Sequence, residues 1–100
     1  MPINKTKYRF TTPNIYAYAS DRMGVYGLYD PISIVIYYGA SDTSIKVRLQ
    51  RHLSGMEGKC TQGVTYFNFE KHFKPIQREK ELLEEHKRLY DRLPKCNEVV

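Results

Sequence analysis

The chain has no tryptophan and only two cysteines, and none of its apolar runs is long. A membrane-spanning helix needs roughly 18–20 consecutive apolar residues, so no membrane role is expected. The start, Met1-Pro2-Ile3-Asn4-Lys5, lacks the apolar core of a secretory leader, and a cytoplasmic location is the expectation. Cys60 and Cys96 lie far apart, without the paired spacing of a metal site. Two free thiols are expected of them, a disulfide being the alternative. No zinc-finger, helix-turn-helix or basic-zipper pattern is present, and neither repeats nor low-complexity tracts break the sequence.

What is present fits one small domain of 100 residues. A domain of that size buries roughly 60–65% of the surface of its extended chain. Catalytic and structural side chains must then stand close together. Sixteen Lys and Arg against eleven Asp and Glu give a formal charge of +5, which weakly favours an anionic partner. Nine tyrosines supply apolar area with polar tips, suited to packing and to interfaces alike.

Residues 1–20 show little periodicity and read as an irregular arm, with a short turn at Thr11-Thr12-Pro13-Asn14. Two runs rich in β-branched and aromatic residues, 24–29 and 33–38, read as strands joined by a turn at Asp30-Pro31. A tight turn would set Tyr29 opposite Ile34, Gly27 opposite Ile36 and Tyr26 opposite Tyr37. Two phenols would then share one face, about 5 Å apart at Cβ. Asp42, Thr43 or Ser44 can cap a helix running to about Leu53, with Ile45, Leu49, Leu53 and Met56 as its apolar positions. Arg48 and His52, four apart, share a face of it. A glycine-containing loop, 54–63, leads to a third strand, 64–70. Pro75 opens a long helix expected to end at Leu93, before Pro94. Its apolar stripe is Ile76, Leu82, Leu83, His86, Leu89, Tyr90 and Leu93. The expected architecture is α/β: a small three-stranded, mainly antiparallel sheet flanked by helices, in the order β-β-α-β-α. The domain proper spans 23–97, between an arm at 1–22 and a tail at 98–100.

On a wheel of 100° per residue, Glu79 falls in the middle of the apolar stripe of the long helix. Carboxylates are rarely buried unless paired or metal-bound. Glu79 is therefore either a partly exposed ion pair favoured by the helix dipole or a metal ligand facing the sheet. Tyr26, Tyr37, Arg48 and His52 each have an ordinary structural reading. Together they match what phosphodiester cleavage requires: a group to activate water, a cation to offset developing charge, and a site for a metal.

Gly24-Val25-Tyr26, followed by Tyr37-Tyr38-Gly39 with a separation of eleven between Tyr26 and Tyr37, resembles the paired motif of the GIY-YIG nuclease family. Arg48-Leu49 stands where that family has its catalytic arginine, and His52 resembles the histidine of its homing-type members. Glu79-Lys80-Glu81-Leu82-Leu83 resembles the metal-binding acid with its following apolar pair. Counting back from Asn97, which with Pro94 resembles the family's closing residues, by the shortest family spacing lands on Glu85 instead. The inward wheel position favours Glu79. The resemblance covers about residues 23–97.

It implies a DNA endonuclease with one Mg²⁺ or Mn²⁺ on the glutamate. Tyr26 would activate water, Tyr37 would bind water or phosphate, and Arg48 would stabilise the transition state. His52 would orient Tyr26 or relay a proton, and the products would be a 5′-phosphate and a 3′-hydroxyl. Lys71, Lys74, Arg78, Lys80, Lys87 and Arg88 around the long helix, with Arg51, offer phosphate contacts. Members usually borrow specificity from attached domains. With room for none here, binding is expected to be weak, structure-selective or dependent on a protein partner, or to draw on loop 54–63. The chain is expected to be a monomer, or a weak dimer on DNA. Two other readings stay open: a nucleic-acid-binding module that no longer cuts, and a small protein-interaction domain whose tyrosines are only core.

Overall fold

The computed structural model describes residues 2–98; Met1 and the last two tail residues, Val99 and Val100, lie outside the described residues. Four strands, β1 (Tyr8–Arg9), β2 (Gly24–Tyr29), β3 (Val35–Ser41) and β4 (Tyr66–Lys71), form one antiparallel sheet in the order β1-β4-β2-β3. Helices α1 (Thr12–Tyr18), α2 (Ile45–Leu53) and α3 (Pro75–Tyr90) flank it, and a 3-10 turn covers Cys60–Gly63. The α/β class and the β-β-α-β-α core are as the sequence indicates; the sheet gains a fourth strand.

That strand corrects the reading of residues 1–20 as an irregular arm. Tyr8 and Arg9 pair with Phe67 and Tyr66, covering the outer edge of β4 that would otherwise invite pairing with another chain. The expected turn at Thr11 is a helix start. The Thr11 side chain accepts from the Asn14 N–H, and Pro13 sits in the first turn, where its missing N–H costs nothing.

Alternation along the strands sorts the core into two layers. On one face Tyr26, Leu28 and Phe67 pack with Phe10, Ile15, Ala19, Ile45 and Leu49 beneath α1 and α2. On the other, Val25, Tyr38 and Ala40 pack with Leu82 of α3 and with Ile3. Burial of each such aliphatic or aromatic side chain contributes about 1.5–3 kcal/mol.

The β2–β3 register differs from the tight-turn expectation. Tyr26 lies opposite Gly39 and Leu28 opposite Tyr37, with an irregularity before Tyr29↔Val35. The connection is wider because the Asp30 carboxylate accepts from the N–H groups of Ile32 and Ile34, and Ser33 takes a left-handed φ of 65°. At Tyr26 the shift is two residues, an even number, so Tyr26 and Tyr37 stay on one face as diagonal neighbours.

The α3 helix ends at Tyr90, three residues early, because Asp91 adopts a left-handed φ of 61° and its N–H returns to Lys87 O. Its buried positions are Pro75, Arg78 and Leu82, whereas Ile76, Leu89 and Tyr90 of the expected stripe are exposed. In α2 the inward positions are Ile45, Leu49 and His52, with His52 taking the place expected of Leu53. Cys60 and Cys96 are joined in a disulfide, which corrects the expectation of free thiols. They meet because the C-terminal segment folds back along β3: the Cys96 N–H bonds Ile36 O, and the Asn97 side chain bonds both Tyr38 N and Tyr38 O. This segment lines the outer edge of β3. No helix among the described residues is long and apolar enough to cross a membrane.

Candidate active site

Two glycines explain why the strand motifs have their form. A Cβ on Gly24 would meet the Glu70 carbonyl oxygen and come within 2.7 Å of Ile45 Cδ1, so α2 can lie over the start of β2 only if that residue has no side chain. A Cβ on Gly39 would run into the ring of Tyr26, which lies across that glycine. Gly39 thereby seats the Tyr26 phenol against α2.

There Tyr26 Oη lies 2.8 Å from His52 Nε2, and His52 Nδ1 lies 2.9 Å from Thr61 Oγ1. All three residues are buried, at 0, 1 and 3% exposure. Burial lowers the His52 pKa to about 4, with Glu57 opposing the shift and Arg48 and Arg51 adding to it, so the ring is neutral at pH 7. Burial likewise pushes the Tyr26 phenol above its ordinary value; Tyr37 adds to the rise and Arg48 pulls against it. Tyr37 is only half-buried. Its ring lies 6.3 Å from that of Tyr26 and 5.1 Å from that of His52. Its phenol is raised first by burial and then by the charge of Glu79.

Arg48, one turn before His52, is partly exposed and uses little of its donor set. Nη2 reaches Glu57 Oε1 at 3.4 Å, and Nε is buried with no partner among the described residues. Glu57 also accepts from Arg51 Nε at 2.6 Å, and that hydrogen bond is the main reason its carboxyl is held below the usual range.

Glu79 comes from α3, on the other side of the sheet, yet its charge acts on both Tyr37 and Tyr26. Half-buried, its carboxyl is pushed above the usual range by burial, against the pull of Arg48. It has no hydrogen bond or ion pair to another described residue. The charge of Glu85 acts on Tyr38, on the opposite face of β3. Among the described residues no three His, Cys, Asp or Glu side chains cluster as a metal cage. A lone, unpaired carboxylate does suit Mg²⁺ or Mn²⁺, which take one or two carboxylates and fill the remaining shell with water and phosphate oxygens.

Of the candidate phosphate contacts, Lys71, Lys74, Lys80, Lys87, Arg88 and Arg51 are exposed, with Arg51 engaged by Glu57. Arg78 differs from these. It is 7% exposed and binds Glu70 through Nε at 2.6 Å and Nη2 at 3.1 Å, with Glu81 at 3.6 Å, joining α3 to β4.

Sequence reasoning passed over Thr61 and Glu57. Nothing local marks Thr61. Glu57 carried a signal, as the only acid in the loop that follows the arginine-bearing helix.

The antiparallel α/β sheet sets Tyr26 and Tyr37 against His52 of α2, with Arg48 one turn away on the same helix. The family model for the GIY-YIG catalytic domain matches residues 22–92, and the chain belongs to the GIY-YIG family. Members of this family are generally nucleases acting on DNA. A search of curated proteins finds no match.

Proposed function

We propose that this protein is a divalent-metal-dependent DNA endonuclease that uses Tyr26, Tyr37, Arg48, His52 and Glu79. The observation that carries the proposal is the pairing of a buried phenol with a neutral imidazole, Tyr26 Oη to His52 Nε2 at 2.8 Å, beside an arginine with an unpartnered Nε. A phenol lifted above its ordinary value cannot ionise unaided at pH 7. It can act as a base only if its own proton has an acceptor, and a histidine kept neutral is one.

In the proposed reaction, Tyr26 takes a proton from the attacking water while its phenol proton passes to His52 Nε2. The water oxygen bonds to phosphorus and the P–O3′ bond breaks. The 3′-oxygen takes a proton from solvent, leaving a 3′-hydroxyl and a 5′-phosphate. Arg48 offers a forked cation to the phosphate as charge develops, and Tyr37, the more exposed phenol, bonds the water or a phosphate oxygen. Glu79 would hold the cation. Bound Mg²⁺ or Mn²⁺ would supply Lewis-acid polarisation of the phosphate. Because Tyr26 is out of solvent contact, the substrate must open a path to it. The 3.4 Å contact of Arg48 with Glu57 is the one a phosphate would replace.

The burial of Tyr26 also supports a second reading, a nucleic-acid-binding module that does not cut. The two are separated by incubating the protein with supercoiled plasmid and with branched DNA, in Mg²⁺, in Mn²⁺ and with chelator. The endonuclease gives nicked product only with metal. Salt-dependent DNA binding without product in any condition contradicts cleavage and supports the binding module.

A further inference from the structure

The proton on His52 can be located by accounting for the buried donors around it. Tyr26 Oη has one hydrogen-bond partner among the described residues, His52 Nε2. The residue is 0% exposed, so no solvent contact serves its O–H. His52 has a hydroxyl at each ring nitrogen, Tyr26 Oη and Thr61 Oγ1, and a neutral imidazole can accept from only one of them. The phenol is the stronger acid and the poorer acceptor, and it is wholly out of solvent, so its proton points at Nε2. Nε2 is then the bare nitrogen. A neutral imidazole with a bare Nε2 carries its proton on Nδ1, and the atom facing Nδ1 is Thr61 Oγ1 at 2.9 Å.

We propose that Thr61 is a positioning residue of the active site: its hydroxyl accepts the Nδ1–H of His52, fixing the tautomer whose bare Nε2 can receive the Tyr26 proton. The proposal deepens the nuclease reading and rests on it for its catalytic consequence, though not for its geometry. Without a partner at Nδ1, a histidine side chain favours the Nε2–H tautomer. Nε2–H would donate to Tyr26 Oη, and the phenol would keep its proton with nowhere to send it.

The surroundings hold this hydroxyl in place. Thr61 is 3% exposed on the 3-10 turn Cys60–Gly63. Its neighbour Cys60 is bonded to Cys96, whose N–H is fixed to Ile36 O on β3, the strand that carries Tyr37. The turn is therefore tied back to the sheet on which both tyrosines stand.

The test uses the full chain as parent, T61V and T61S, with long-range ¹H–¹⁵N correlation spectra of the His52 ring at pH 7. The parent and T61S are expected to show protonated Nδ1 and bare Nε2, while T61V shifts towards Nε2–H. Valine keeps the shape and removes the hydroxyl; serine keeps the hydroxyl. On plasmid DNA with Mg²⁺, T61V is expected to lose about 10–100-fold in kcat with KM unchanged, as when a partner that orients a reacting imidazole is removed, and T61S to stay near the parent. An Nε2–H tautomer in the parent overturns the proposal, as does a folded T61V with the parent's spectrum and kcat. The parent spectrum decides even if T61V fails to fold. A parent that does not cut DNA but shows the Nδ1–H tautomer sinks the nuclease reading alone. A parent that cuts while T61V matches it in kcat and spectrum sinks the role of Thr61 alone.

Discussion

Arg48 is held by one weak contact among the described residues. Glu57 takes Nη2 at 3.4 Å, and Nε is buried with no partner among them. A partly exposed ion pair of that length contributes on the order of 0–1 kcal/mol to folding, so Arg48→Ala is expected to stay folded. Its loss in the transition state is larger: about 3–4 kcal/mol, or about 10²–10³-fold in single-turnover cleavage of plasmid DNA. A folded R48A protein with parental turnover contradicts the assignment. His52 gives a second prediction. Its pKa falls from 6.5 unfolded to about 4 folded, among Glu57, Arg48 and Arg51. Between those values the unfolded chain binds the extra proton, so the contribution to stability is full above about pH 6.5. It declines as pH falls and is lost by about pH 4. The magnitude is roughly 3 kcal/mol. Urea midpoints at pH 7 and pH 4.5 for the parent and H52Q check this: the parent should lose clearly more stability on acidification. Equal losses in the two proteins would show that His52 is not a buried neutral group.

Among the elements, the Cys60–Cys96 bond closes a segment with a sequence separation of 36 and joins the 3-10 turn to the C-terminal strap on β3. Reduction is expected to cost about 2–4 kcal/mol, read as a lower urea midpoint in dithiothreitol. An unchanged midpoint would mean that the turn and the strap hold without it. Strands β2 and β3 and helix α2 were legible because their runs are aromatic, β-branched or periodic. The register was not, because the Asp30 carboxylate builds a wider turn than the residues at Asp30-Pro31 imply. Residues 8–18 hid a two-residue strand and a seven-residue helix, both too short to show a period. The stripe on α3 was misread at its ends. Arg78 is drawn inward by Glu70, a partner on β4, and Ile76 is turned out to solvent. Within the site, Tyr26, Tyr37, Arg48 and His52 could be read from motif spacing. Thr61 could not, and Glu57 was marked only as the one acid of loop 54–63, because both meet His52 and Arg48 through the path of that loop.

Over the whole molecule, α1 and α2 cover one face of the sheet and α3 the other, while the exposed Lys71, Lys74, Lys80, Lys87 and Arg88 are spread along the end of β4 and α3. If these residues meet phosphates, DNA affinity falls with salt at a slope of about −0.9 per phosphate neutralised. K74A or K80A should each lower the slope by about 1, with little change between DNA sequences. Unchanged slopes would move the DNA-binding face elsewhere. The central proposal is that Glu79 of α3 completes the site: its carboxylate has no hydrogen bond or ion pair to another described residue, and its charge adds to the raised pKa of Tyr37 and Tyr26. The most direct measurement compares metal-dependent nicking by the parent, E79Q and E85Q, with folding checked by circular dichroism. Gln keeps the shape of the acid and removes the charge that would hold Mg²⁺ or Mn²⁺. The account predicts that E79Q is folded and inactive in either metal, while E85Q, on the Tyr38 side, nicks like the parent. A folded E79Q that nicks normally, with activity lost in E85Q, would contradict it.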